Sequence, residues 1–393
     1  MLNGPNFEDT LVAYKHLDDK ALIRAHQIFS LMDQPILARV GPLVLELASR
    51  LGLPVSFLLR KTLFAHFCGG ESLQACAALV ESLKREQVGV VLDYAVEGSQ
   101  SEESFDRCCD EILRSLAACK AYEQPFGVFK PTGIVAPNLL QNITEGRTLS
   151  ATEEESARRG QQRFARIAQK AEELGISVMI DAEESWLQDA IDRWVEALMR
   201  ERNTSRPVVY HTIQFYRKDR LGYLKQLLKT AEKGNFYLGL KLVRGAYLDK
   251  ERERARLQSY PSPVHETKQD TDNNFNTALM FCWEHKDRIS IFSGTHNEIS
   301  TSLLTQAVDR DPSVERNDPR FVSAQLLGMS DNLTFNLARN GFRAMKYVPY
   351  GPVKAVLPYL ARRARENSSI TGQMARELAM LRKELARRKS VRS

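Results

Sequence analysis

The sequence predicts an α/β fold, a parallel (β/α)8 barrel with an N-terminal helical extension, and three observations carry that prediction. Eight short, β-branched apolar runs recur from residue 88 onward. Amphipathic stretches such as "ESARRGQQRFARIAQKAEELG" and "RLGYLKQLLKTAEKG" separate most of them. Strand and helix alternating in this way form a parallel sheet covered by helices. No G-x-G-x-x-G follows the first run, so the fingerprint of the rival, an open doubly wound sheet, is missing.

Taken in order, residues 1–82 read as helices with short breaks. The segment "PILARVGPLVLELASRLGLPVSFLLRKTLFAHF" is apolar but interrupted by Gly and Pro, which suits packed helices rather than a membrane anchor. The eight runs follow: "VGVVLDYAVE" (88–97), "FGVFKPTG" (126–133), "SVMIDAEE" (177–184), "VVYHTIQ" (208–214), "YLGLKLVRGAY" (237–247), "ISIFSGTHN" (289–297), "VSAQLLGM" (322–329) and "FRAMKYVPYG" (342–351). The expected organisation is a helical region at 1–82, a barrel at 83–372 and a basic helix or tail at 373–393.

Bulk properties fit a globular barrel. The chain has 393 residues, 43% of them hydrophobic, and a formal charge of +6. Much of that charge lies in the last dozen residues, "RKELARRKSVRS", so no nucleic-acid partner is expected. Six cysteines occur without a C-x-x-C pair, which predicts reduced, structural thiols and no metal site. The first residues lack an apolar signal core and carry acidic groups early, so a bacterial cytoplasmic protein is the expectation.

Function is written at the ends of the runs. Glu97, Lys130, Asp181, Gln214, Arg244, Thr295, His296, Gln325 and Tyr347 stand at or just past the C-terminal end of a predicted strand. In a (β/α)8 barrel those ends converge on one face, where active sites form. After the eighth run, a helix through "VLPYLARRARENSS" would put Val353, Leu357, Leu360 and Ala364 on one side. Tyr359, Arg362, Arg363 and Glu366 fall on the other. Laid across the barrel mouth, the two arginines would offer planar donor forks matched to a carboxylate. The alternative is an ordinary solvated face.

These motifs together resemble the proline dehydrogenases, flavoenzymes with a distorted (β/α)8 barrel. The resemblance covers roughly residues 85–370 and rests on "GVFKPTG", "VMIDAEES", "TIQFYRKDR", "KLVRGAY", "GTHN", "AQLLGM", "YVPYG" and "YLARRARENSS", in that order. It is nearest to the monofunctional, eukaryotic-like branch, and the chain is too short for the aldehyde dehydrogenase module of the bifunctional branch.

The resemblance implies the following roles. Lys130, Arg362 and Arg363 hold the substrate carboxylate. Tyr347 packs on the proline ring. Asp181 orients the neighbouring tyrosine and arginine, and Leu242 and Tyr359 line the pocket. Tyr359 has core packing as its alternative. Glu97 is either a gate that pairs with the first arginine or a plain loop charge. Gln214, Lys241, Arg244, Gly245, Ala246, Tyr247, Thr295, His296, Asn297 and Glu366 contact FAD. The bifunctional branch has arginine where Lys241 stands.

The implied reaction is oxidation of L-proline to Δ1-pyrroline-5-carboxylate, with electrons passed to a membrane quinone. The product then goes to a pyrroline-5-carboxylate dehydrogenase. Rival readings are a hydroxyproline dehydrogenase, a flavin barrel of the methylenetetrahydrofolate reductase type, and a barrel that senses an amino acid. The tail "MARELAMLRKELARRKSVRS" has Met374, Leu378, Leu381 and Leu385 at helical spacing among many basic residues. It either docks peripherally on an anionic membrane or packs on the barrel.

Overall fold

Each of the eight apolar runs becomes a strand: β1 (Val88–Tyr94), β2 (Phe126–Phe129), β3 (Ser177–Ile180), β4 (Val209–Gln214), β5 (Leu238–Val243), β6 (Ile289–Gly294), β7 (Phe321–Leu326) and β8 (Ala344–Tyr350). The computed structural model describes residues 4–32, 60–95, 101–353, 355–356 and 373–392. The strands pair in sequence order, all parallel, and β8 closes on β1 along a seam from Val88↔Ala344 to Tyr94↔Tyr350.

Side-chain alternation sorts each strand into two cores. Val91, Val128, Met179, Tyr210, Phe292, Val322, Met345 and Tyr347 fill the barrel interior. Val90, Leu92, Ile180, Ile213, Leu240 and Ile291 face the surrounding helices. Burial on both faces is why the runs read as continuous apolar segments rather than alternating ones. Each fully buried Val, Leu or Ile contributes about 1.5–3 kcal/mol to that packing.

The helices among the described residues are α1 (Thr10–Tyr14), α2 (Asp19–Met32), α3 (Leu73–Arg85), α4 (Glu102–Ala121), α5 (Pro137–Thr144), α6 (Ala151–Leu174), α7 (Ser185–Arg202), α8 (Arg220–Gly234), α9 (Leu248–Leu257), α10 (Lys268–Glu284), α11 (Glu298–Arg310), α12 (Asp331–Arg339) and α13 (Gln373–Arg392), with short turns at Arg60–Phe64 and Ala65–Phe67. Local chemistry sets their ends. At α6, Ser150 Oγ accepts from Glu153 N while the Glu153 carboxylate accepts from Ser150 N, so two orphan donors are satisfied. The same helix stops at Gly175, whose φ of +69° is a left-handed conformation that a Cβ would penalise. The boundary expected at 82–83 falls within α3, which runs on to Arg85.

A third core joins the two ends of the chain. Tyr14, Leu22, Phe29 and Phe67 pack with Met374, Leu378 and Leu381 of α13, and with Ala95, Met329 and Val353 at the C-terminal rim of the barrel. Arg388 of α13 donates to the carbonyls of Tyr14 and Leu17 and to Asp19. The apolar stripe of the tail is therefore covered by the protein itself, and Leu385 is half-buried against the same cluster. Of the two readings of the tail, packing on the barrel is the one observed for this face. The helix expected across the mouth, with Tyr359, Arg362, Arg363 and Glu366, lies outside the described residues, as does Glu97. All six cysteines are unpaired, and burial raises the thiol pKa of Cys119 to about 12.

Candidate active site

Strand parity aims Asp93, Lys130, Asp181 and Tyr347 into the C-terminal mouth of the barrel, because each shares the phase of an interior residue on its own strand, and Lys241 pairs in register with the interior Phe292. Asp181 is the hub. Lys241 Nζ donates to Asp181 Oδ1 at 2.6 Å, and the Tyr347 hydroxyl donates to Oδ2 at 2.8 Å. Lys130 Nζ lies 3.8 Å from Oδ2 and donates to Asp93 Oδ2 at 2.7 Å. Lys241 Nζ also sits over the Tyr347 ring, 4.4 Å from its centroid, in cation–π geometry.

The electrostatics of this group are balanced. Burial by itself would raise the Asp181 pKa. The charges of Lys241 and Lys130, and hydrogen bonds from Lys241 and Tyr347, outweigh it, so the net direction is down. Two carboxylates, Asp93 and Asp181, thus face two ammonium groups. Asp93 Oδ1 is buried without a hydrogen-bond partner among the described residues.

A second cluster forms around Arg244, just past β5. Its guanidinium donates to Asp272 at 2.6 Å, Thr295 Oγ1 at 2.7 Å and Ser300 Oγ at 2.9 Å, and stacks over Phe275. Asn297 caps α11, accepting from Ser300 N at 3.0 Å, and donates its own N–H to Thr295 Oγ1. An arginine beside the N-terminus of a 13-residue helix is a chemistry suited to anions. Gly245, at φ +132°, crosses the Tyr216 ring so closely that a Cβ would come within 2.4 Å of it.

A third group joins Gln214, Ala246 and Tyr247. Gln214 Nε2 donates to the Glu183 carbonyl at 2.7 Å, and its Oε1 accepts from Ala246 N at 3.4 Å. The Tyr247 hydroxyl donates to the Glu183 carboxylate at 2.7 Å, as do Thr132 N and Oγ1. Burial and the neighbouring Glu184 push the Glu183 pKa up to about 7, against the hydrogen bonds from Thr132 and Tyr247. His296 pairs through Nδ1 with Ser330 Oγ at 3.0 Å.

Leu242 departs from expectation. It is fully buried in the layer between sheet and helices, with Ile213 and Leu240, and not among the interior side chains. The reason is parity: Lys241 points inward, so its neighbour points outward. Four polar residues were not singled out from sequence, namely Asp93, Glu183, Ser330 and Glu377. Parity signalled the first two, since Asp93 is two residues past the inward Val91 and Glu183 is two past Asp181. Glu377 stands on the Met374–Leu378–Leu381 stripe, a charge on an apolar face. Ser330 carries no comparable mark.

Comparison with known proteins agrees with this geometry. The family model described as proline dehydrogenase matches residues 76–376. The chain is 36% identical over 324 residues to the carbapenem antibiotics biosynthesis protein CarD of Pectobacterium carotovorum subsp. carotovorum, covering 82% of this chain and 83% of that protein. It is 32% identical to mitochondrial proline dehydrogenase 1 of Dictyostelium discoideum, covering 88% of this chain and 68% of the relative. Among solved structures, proline utilization A from Bdellovibrio bacteriovorus, inactivated by N-propargylglycine, superposes with a TM-score of 0.72 at 17% identity. That match covers 94% of this chain but 40% of the solved one, and bears on the fold alone. With its closed eight-stranded parallel barrel and a match across most of its length, the chain belongs to the proline dehydrogenase family.

Proposed function

We propose that this chain uses FAD to oxidise L-proline to Δ1-pyrroline-5-carboxylate, and the observation that carries the reading is the Lys130–Asp181–Lys241–Tyr347 group at the barrel mouth. Two features fit the cofactor. The guanidinium of Arg244 suits a diphosphate, and so does the N-terminus of α11 beside it. In this reading Gln214, Lys241, Arg244, Gly245, Ala246, Tyr247, Thr295, His296, Asn297 and Glu366 hold FAD. When bound, the flavin supplies a two-electron acceptor for hydride from the ring carbon next to nitrogen.

The chain's own residues supply position and charge. Asp181 holds the Tyr347 hydroxyl, so the phenol is fixed as a wall against a five-membered ring. Because the two lysines already face two aspartates, a substrate carboxylate needs further cations. Arg362 and Arg363 take that part here, with Lys130 as the third donor. A fixed phenol leaves no room for an added ring hydroxyl, which favours L-proline over trans-4-hydroxy-L-proline.

In the same reading electrons leave to a membrane quinone at the inner face of a bacterial cytoplasmic membrane. The imine product passes to a pyrroline-5-carboxylate dehydrogenase. The test is turnover of L-proline with a soluble quinone, with the product trapped by o-aminobenzaldehyde and the released cofactor identified after denaturation. Adduct formation with FAD in the supernatant is expected; flavin-free protein without turnover would overturn the proposal.

A further inference from the structure

Two carboxylates follow β3, two residues apart, and both reach from the loop after β2 to the β5 segment. Asp181 meets Lys130 on one side and Lys241 on the other. Glu183 repeats that span with neutral donors. Its Oε1 accepts from Thr132 Oγ–H at 2.6 Å and from Thr132 N–H at 3.2 Å, in the turn that follows Lys130. Its Oε2 accepts from the Tyr247 hydroxyl at 2.7 Å, just past β5. The backbone of Glu183 is pinned as well. Its N–H donates to Gln188 Oε1 at 2.8 Å, and its carbonyl accepts from Gln214 Nε2 at 2.7 Å. Gln188 is held in turn by Asp192 at 2.7 Å.

This is an expensive place for a carboxylate. Glu183 is 3% exposed, and among the described residues no lysine or arginine pairs with it; the nearby Lys250 goes to Glu184 instead. Burying a charge without a counter-charge opposes folding, so the residue is poorly explained by stability alone. What it does supply is a fixed acceptor between two loops. An ionised carboxylate only accepts, so all three hydrogens converge on it without competing.

We infer that Glu183 is a positioning residue that ties the loop carrying Lys130 to the loop carrying Tyr247, and so sets the substrate side of the mouth against the cofactor side. The naming of the two sides rests on the proline and FAD readings above; the tie itself does not.

The tie is read without cofactor or turnover by 13Cζ-tyrosine NMR of the full-length apo-protein, with Tyr247→Phe assigning one of the twelve tyrosines. Spectra are taken at about pH 8, above the Glu183 pKa of about 7. The Tyr247 resonance should move in Glu183→Ala and in Glu183→Gln, because both remove the carboxylate oxygen that faces the phenol. An unmoved resonance in either variant would overturn the inference. Kinetics then separates positioning from folding. In Glu183→Ala, KM for L-proline and Kd for FAD should each rise roughly tenfold, with a smaller change in kcat. In Glu183→Gln the amide oxygen stays with the two Thr132 donors and the amide nitrogen turns to Tyr247. That variant should bring KM back to within about twofold of wild type and leave the FAD Kd raised. Thr132→Val should raise KM alone, and Tyr247→Phe the FAD Kd alone. Glutamine and valine here are close to isosteric, so the split stays readable if Glu183→Ala does not fold. A KM that Thr132→Val leaves unchanged, or that rises in Glu183→Gln together with the FAD Kd, would overturn the link between the loops. Wild-type protein that binds no FAD would instead overturn the FAD reading and leave the NMR result standing.

Discussion

At the residue scale, the mouth of the barrel depends on Asp181, which holds a phenol and an ammonium at once. Asp181→Asn removes the carboxylate that pairs with Lys241 in a buried setting, while Lys130 keeps Asp93. Breaking such a pair costs about 3–5 kcal/mol. Thermal unfolding should show a lowered Tm, and kcat/KM for proline should fall with it; a variant with wild-type values for both would contradict the hub assignment. Tyr347→Ser removes the wall rather than the charge. Wild-type enzyme should prefer L-proline over trans-4-hydroxy-L-proline by a factor of about ten or more, and the variant should narrow that ratio mainly by losing proline activity. The measurement is kcat/KM for both substrates in both proteins, and a wild type that prefers hydroxyproline would overturn the role given to Tyr347. Much of this group was legible in the sequence, because Lys130, Asp181 and Tyr347 end apolar runs. Leu242, given a pocket role by resemblance alone, faces the helices because its neighbour Lys241 points inward, and Asp93 was passed over inside "VVLDY" although parity aims it inward.

At the element scale, buried ion clusters fasten helices to the outside of the barrel. Asp192 of α7 binds His211 of β4 at 2.9 Å and also takes Arg220 of α8 and Gln188. Burial pushes its carboxyl up, yet His211, Arg220 and Gln188 outweigh that and bring the pKa down to about 2. A depressed folded pKa contributes stability that is present above the unfolded value near ~4 and is lost as pH falls toward ~2. The contribution is about 2 kcal/mol. A Tm-versus-pH series should therefore fall less steeply over that window in Asp192→Asn than in wild type, from a lower plateau at neutral pH. The tail makes a separate prediction. Deleting the last twelve residues removes Leu385 and the Arg388 contacts to Tyr14, Leu17 and Asp19, so it should lower Tm and leave co-sedimentation with anionic liposomes unchanged. Lost liposome binding with an unchanged Tm would contradict the packing. Strands were legible because burial on both faces makes apolar runs. Their ends were not: the polar motif Arg244–Tyr247 belongs to the loop after β5, although it reads as one run with the strand.

At the scale of the whole molecule, strand count and alternation announced the closed barrel, since eight βα units suit closure better than an open sheet. What pattern alone does not name is which distant faces meet. The contact of Tyr14, Leu22 and Phe29 with Leu378 and Leu381 pairs two amphipathic stripes from opposite ends of the chain, and neither stripe identifies its partner. The same holds for Glu377, whose place beside Ser330 follows only from that docking. Family membership and the strand-end chemistry converge on one reaction. The most direct measurement is the anaerobic absorbance spectrum of the purified protein before and after addition of L-proline. A barrel that binds FAD and oxidises proline shows a flavin band near ~450 nm that bleaches on L-proline and much less on trans-4-hydroxy-L-proline. Protein without that band, or with a band that L-proline leaves unchanged, would contradict the proposed function.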